Sequence, residues 1–105
     1  MNELEWFERW YQARCNGDWE HKYGAEIRSL DNPGWLLTVD LRGTTSEDRK
    51  LDKVEIERSD DDWLHYWVEK KRFQAACSPL NLREVLRKFR EFVEAAPQTP
   101  APPLV

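Results

Sequence analysis

The chain has few of the residues that build covalent or metal-bound scaffolds. Its 105 residues include two cysteines, Cys15 and Cys77, and two histidines, His21 and His65. Two cysteines allow one disulfide at most, and nothing in the sequence indicates secretion, so we expect two reduced thiols. No paired-cysteine or histidine-rich spacing accompanies the histidines, which argues against a zinc site. We therefore expect neither a metal nor a cofactor.

Long apolar runs are also lacking. No stretch approaches the ~20 apolar residues that a membrane-spanning helix needs. The first five residues, Met1 to Glu5, are acidic, which is not typical of a signal peptide. Neither a phosphate-binding Walker loop nor a serine–histidine–aspartate order is present. We expect a cytoplasmic protein that has no membrane partner and is not an enzyme.

Charge is unevenly distributed along the chain. The formal net charge is −4, but residues 1–69 hold 17 acidic and 9 basic side chains, whereas residues 70–94 hold 3 acidic and 7 basic ones. This acidic bulk argues against nucleic acid as a direct ligand, because phosphates would be repelled. It fits a basic protein partner, since opposite potentials steer association.

Aromatic residues are abundant, with six Trp, three Tyr and four Phe. Large rings bury much surface, so a short chain can still build a core. We expect one domain over residues 1–96. Four prolines then fall within residues 97–105, which predicts an extended or disordered Pro-rich tail.

The clearest strand follows a predicted turn. Pro33 and Gly34 suit the second and third positions of a type II turn. The apolar residues after it alternate and predict a half-buried strand over 35–41; they are Trp35, Leu37, Val39 and Leu41. Residues 24–30 are the expected hairpin partner.

Three more strands are predicted at 53–58, 63–69 and 72–76. In the second of these, one face carries Trp63, His65 and Trp67, and the other face carries Leu64, Tyr66 and Val68. Residues 18–22 are predicted as a connecting loop, and residues 42–52 as a polar loop.

Two helices complete the predicted architecture. Asn2 can cap a helix over residues 4–15, and Asn81 with Glu84 marks the start of a second helix. An apolar stripe of helical period follows from Leu82 to Val93. The chain therefore predicts an α+β fold in which an antiparallel meander sheet of about five strands is flanked by an N-terminal and a C-terminal helix packed on one face.

One spacing resembles that of a catalytic loop. Cys77 and Arg83 are separated by five residues between a predicted strand and a predicted helix, as in Cys-x5-Arg phosphatases. The segment has no glycine, Pro79 offers no N–H, and no obvious acid accompanies the pair. We keep a small phosphatase-like enzyme as an alternative function.

Acidic residues concentrate at two predicted turns. These candidates for contact with a basic partner are Asp18, Trp19 and Glu20, and Asp60, Asp61 and Asp62. The plainer explanation of the second group is a solvated turn, whose last Asp helps to start the next strand. Exposed tryptophans could instead stack sugars, so a carbohydrate-binding module is a further alternative.

Several blocks of the sequence resemble one protein family over roughly residues 4–94. The blocks are Trp10-Tyr11, Cys15 to His21, Leu30 to Trp35, Glu57 to Trp63, and Asn81-Leu82 with Glu84. They resemble the immunity 53 family of bacterial polymorphic-toxin immunity proteins. The resemblance implies a protein that binds a cognate toxin domain and neutralises it without catalytic residues of its own.

Many toxin domains act on nucleic acid and so need a basic cleft. An inhibitor that fills such a cleft should present carboxylates where phosphates would lie. We therefore predict that both acidic turns contact the toxin, for which a basic nuclease is one candidate, with a neighbouring tryptophan as an apolar anchor.

Overall fold

The computed structural model describes residues 1–95 as an α+β fold, which confirms the predicted class. The elements in chain order are α1 (Glu3–Arg14), α2 (Trp19–Lys22), β1 (Ala25–Leu30), β2 (Gly34–Asp40), β3 (Leu51–Ser59), β4 (Asp62–Glu69), β5 (Arg72–Cys77) and α3 (Leu82–Glu94). The predicted Pro-rich tail at 97–105 lies outside the described residues.

The five strands form one antiparallel sheet in the order β1-β2-β5-β4-β3. The predicted hairpin of β1 and β2 is present, with Ile27 opposite Leu37. The order departs from a sequential meander at one point, because β2 pairs with β5 and not with β3. The connection over residues 41–50 is long enough to carry the chain to the far edge, and tight turns then return it through β4 and β5.

One face of the sheet forms the core under α1 and α3. Leu37 and Val39 on β2 are fully buried there, as the alternation predicts, together with Phe73 on β5. Phe89 on α3 lies at the centre, with its ring centre 5.1 Å from that of Phe73 and 4.9 Å from that of Trp10 on α1. Both helices therefore cover the same face.

Side-chain hydrogen bonds fix the start of α1 and the short helix α2. Asn2 Oδ1 accepts a hydrogen bond from the Glu5 N–H at 2.7 Å, so the predicted cap is present. Residues 19–22 form one turn of helix and not the predicted loop. Such a turn is too short to show a periodic pattern. It is held by the Trp19 indole, which donates to the Arg42 carbonyl at 2.8 Å.

The turn between β1 and β2 differs from the predicted type II turn. Leu30 pairs with Gly34, so the turn comprises residues 31–33 and Gly34 already begins β2. The φ of Gly34 is 155°, far from the value near +80° of a type II turn. A Cβ at Gly34 would lie 2.1 Å from the Cys77 carbonyl oxygen. Glycine is required here because the backbones of β2 and β5 approach closely.

The opposite face of the sheet has no helix over it within residues 1–95, since all three helices contribute to the core on the first face. In the same described segment, no helix has both the length and the apolar character needed to cross a membrane.

Candidate functional site

The uncovered sheet face carries a groove of about 580 Å³, here called the open-face groove. Strand β4 supplies its aromatic floor, and the ends of the neighbouring strands supply its walls. Its lining includes Trp63, His65, Trp67, Glu57, Pro33 and Pro79.

The floor of the groove is built by the two-residue period of β4. Leu64 on this strand is fully buried, and Tyr66 packs against the core from the same side. Trp63 and Trp67 therefore stand on the other side, as the alternation predicts, and both are half-buried. Neither ring takes part in the core.

The groove is predominantly acidic. Glu57, Asp60 and Asp61 line it, whereas Lys53 is the single Lys or Arg among its lining residues in the described chain. His65 Nε2 donates to Glu57 Oε1 at 2.9 Å, which fixes both side chains. The groove therefore presents aromatic surface beside carboxylates.

Lys53 shows how this face holds a cation. Its ammonium lies 5.1 Å from the ring centre of Trp67 and 3.9 Å from Glu55 Oε1. A cation over an indole face is attracted by the negative potential of the ring, and a nearby carboxylate adds a charge interaction. An indole face beside a carboxylate can bind other cations in the same way.

Three of these side chains also resemble a metal-ligand set. Glu55, Glu57 and His65 bring ligand atoms within 4.8 Å of one another. Glu57 and His65 are joined by a hydrogen bond through one carboxylate oxygen of Glu57, and Glu55 faces Lys53. The geometry is thus explained by contacts within the chain.

The carboxylate of Asp62 accepts hydrogen bonds from other side chains, unlike those of Asp60 and Asp61. Arg58 donates to both of its carboxylate oxygens at 3.0 Å, and Asn81 Nδ2 donates to Oδ1 at 2.9 Å. Arg58 also hydrogen-bonds Glu84 near the start of α3. These bonds, from Arg58 above all, lower the pKa of Asp62 and of Glu84. The contacts fasten the β3–β4 turn to α3, and we call them the Arg58 network.

Asn81 takes part in this network in place of the predicted capping role. Its side chain accepts from Ser78 and donates to Glu84 Oε1 at 3.1 Å, and it makes no cap hydrogen bond to the helix backbone. The predicted pairing of Asn81 with Glu84 is therefore present, but it joins side chains.

Asp60 and Asp61 remain exposed at the rim of the groove. No ion pair joins either one to a cation within residues 1–95. The Asp61 N–H donates to Ser59 Oγ at 3.3 Å, a contact that shapes the turn and leaves the carboxylate free of it. Of the predicted acidic residues, these two face the groove.

The other predicted acidic loop lies at the opposite end of the sheet. Trp19 is 3 % exposed and contacts the segment after the end of β2, whereas the Asp60 turn lies at the end of the sheet where β2 starts. Backbone N–H groups, its own and then those of Asn16 and Gly17, lower the pKa of Glu20. Asp18 is exposed and pairs with Lys22 at 3.3 Å. The structure does not bring the two loops together.

The Cys-x5-Arg segment lacks the geometry of a catalytic loop. Cys77 is 1 % exposed, and burial raises the pKa of its thiol to about 11. A thiolate nucleophile requires the opposite shift. Arg83 is exposed on α3 and makes no described contact with this thiol.

Sequence reasoning missed Lys53, Glu55 and Glu57 as members of the site. Because Val54 and Ile56 on β3 are directed inward, the alternation of the strand could have placed Glu55 and Glu57 on the open face. Their juxtaposition with β4 depends on the register that sets Glu55 opposite His65, which no local pattern encodes.

A family model described as "Immunity protein 53" matches residues 4–94. No curated protein matches the chain. No solved structure matches it either.

Proposed function

Because the chain belongs to the immunity protein 53 family, we propose that it neutralises a cognate bacterial polymorphic toxin domain by direct binding. The immunity role follows from the family. The toxin partner, the mode of inhibition by contact alone and the site of action in the cytoplasm are the proposal. The chain supplies no chemistry of its own.

The open-face groove is the observation that carries this proposal. Trp63 and Trp67 are partly exposed and lie outside the core, and Trp is common among the residues that dominate binding energy at interfaces. The carboxylates of Glu57, Asp60 and Asp61 give the same surface a negative potential. A toxin domain with a basic cleft, such as a nuclease, is the partner that this surface fits.

Co-expression tests the proposal directly. Membership of the family implies that the cognate toxin domain is encoded beside the gene. Expression of that domain should arrest growth of a bacterial host, and this chain should restore growth. The purified chain should also bind a catalytically inactive form of that domain. A non-cognate immunity protein is the control. Continued toxicity with well-expressed chain, and no binding in vitro, would overturn the proposal.

The tryptophan pair also fits a second function, the binding of sugars. Trp63 and Trp67 stand on one face at a spacing of four residues, and stacking on sugar rings uses such surfaces. A glycan array followed by tryptophan fluorescence titration tests this. A saturable fluorescence change with one glycan, and growth arrest unaffected by the chain, would favour this second function.

A further inference from the structure

The two halves of the open-face groove differ in one respect. Lys53 lies against Trp67 with Glu55 beside it, so one indole face already has a cation. Trp63 likewise has a carboxylate nearby. Its ring centre lies 5.2 Å from that of His65, and His65 hydrogen-bonds Glu57. Within residues 1–95, no Lys or Arg of this chain lies over the Trp63 ring.

The nearest cation in the sequence is directed elsewhere. Arg58 lies between Glu57 and the Asp60 turn, yet its guanidinium is held by Asp62 and Glu84 in the Arg58 network. Glu57, Asp60 and Asp61 consequently face the groove with Lys53 as the one basic lining residue of the described chain. The groove is therefore an aromatic surface with an excess of negative charge.

Charge decides between the possible occupants. Nucleic acid or an acidic peptide would meet these carboxylates with like charge. A second copy related by two-fold symmetry would set the same acidic rim against itself, which is unfavourable. A basic polypeptide segment would gain both ion pairs and a stacking surface.

We propose that the open-face groove binds a Lys- or Arg-bearing segment of the toxin domain, one cation of which lies over Trp63 with Glu57, Asp60 and Asp61 as counter-charges. This inference rests on the proposed function and assigns the surface that carries it. The partner's cation takes at Trp63 the position that Lys53 takes at Trp67.

Hexa-arginine is a probe of the groove that needs no toxin. The six indole N–H groups give separate signals in a ¹⁵N-labelled sample. We expect hexa-arginine to shift the Trp63 and Trp67 signals and to leave those of the buried Trp10 and Trp19 in place, with hexaglutamate as the charge-reversed control. Shifts absent from Trp63, or equal for both peptides, would overturn the inference. Shifts that appear on concentrating the chain alone would indicate a second copy and would also overturn it.

Matched triple variants test the same surface with the inactive toxin domain. The groove variant is Glu57→Gln, Asp60→Asn and Asp61→Asn; the control variant is Glu8→Gln, Asp48→Asn and Glu91→Gln, three exposed carboxylates away from the groove. Both variants lose three negative charges, so general charge effects are equal. Asp62 is kept, because the Arg58 network needs it.

The groove variant should bind at least about tenfold more weakly at 50 mM salt, with a smaller difference at 300 mM, and the control variant should change by less than about threefold. Circular dichroism should show both variants folded. Equal affinities and equal salt dependence of the two variants would overturn the groove as the site while leaving the immunity function intact. Failure of the unmodified chain to bind or protect would instead overturn the proposed function.

Discussion

Replacing Phe89 by alanine should remove the central ring of the core. Phe89 on α3 is fully buried. Its ring centre lies 4.9 Å from Trp10, 5.1 Å from Phe73, 5.8 Å from Phe7 and 6.0 Å from Trp6, all in edge-on arrangements. The substitution therefore removes the shared partner of four aromatic contacts that join α1, α3 and the sheet.

The magnitude follows from the size of the ring and from its neighbours. Phe→Ala substitutions in cores cost about 3–5 kcal/mol, through lost burial and the cavity left behind. Aromatic pairs contribute roughly 0.5–1.5 kcal/mol each beyond burial, so four such pairs place this site near the upper end. We expect a loss of about 4–5 kcal/mol, a large part of the roughly 5–15 kcal/mol of a typical domain.

A urea titration followed by far-ultraviolet circular dichroism measures this loss. With a dependence of about 1–3 kcal/mol per M urea, the midpoint should fall by at least about 1.3 M. Leu80→Ala is the control, because Leu80 is 92 % exposed and should change stability by less than about 0.5 kcal/mol. A loss under about 1 kcal/mol for Phe89→Ala would refute the central position of the ring.

Three other predictions concern single residues. A thiol reagent should modify Cys15 in the folded chain and Cys77 only in urea, since Cys77 is buried with a raised pKa; two fast-reacting thiols would contradict this. The hydrogen bond from Arg58 lowers the pKa of Glu84, so its contribution to stability is present above the ordinary value of 4.5 and is lost as pH falls below it. The difference in urea midpoint between the parent and Glu84→Gln should accordingly shrink on acidification, and a constant difference would show that the ion pair is not its source. Gly34→Ala should lower the thermal midpoint, because its Cβ would meet a backbone carbonyl oxygen; an unchanged midpoint would contradict that contact.

Local periodicity accounts for the parts of the fold that were predicted from the sequence. Alternation placed Leu37 and Val39 in the core, and the helical stripe placed Val85 and Phe89 there. Leu82, at the start of the same stripe and the first residue of α3, is only half-buried. Elements whose signal lies within one segment were thus predictable.

Features that join distant segments were not predictable from the sequence. The pairing of β2 with β5 depends on where residues 41–50 lead the chain, and the polar composition of that connection carries no such information. The same holds for the Arg58 network, which joins a turn to a helix 26 residues further on. The acidic turns looked equivalent in sequence, yet the fold separates Asp18 from Asp60 by the length of the sheet.

The two-sided construction of β4 has a consequence for how such a protein can change. Leu64 and Tyr66 hold the strand to the core, while Trp63, His65 and Trp67 face the groove and are not part of the core. Under the function proposed above, substitutions at the odd-numbered positions would change which toxin the groove binds, while the even-numbered positions keep the domain stable. On this proposal, recognition specificity could evolve without loss of the core, because the two depend on alternate residues of the same short strand.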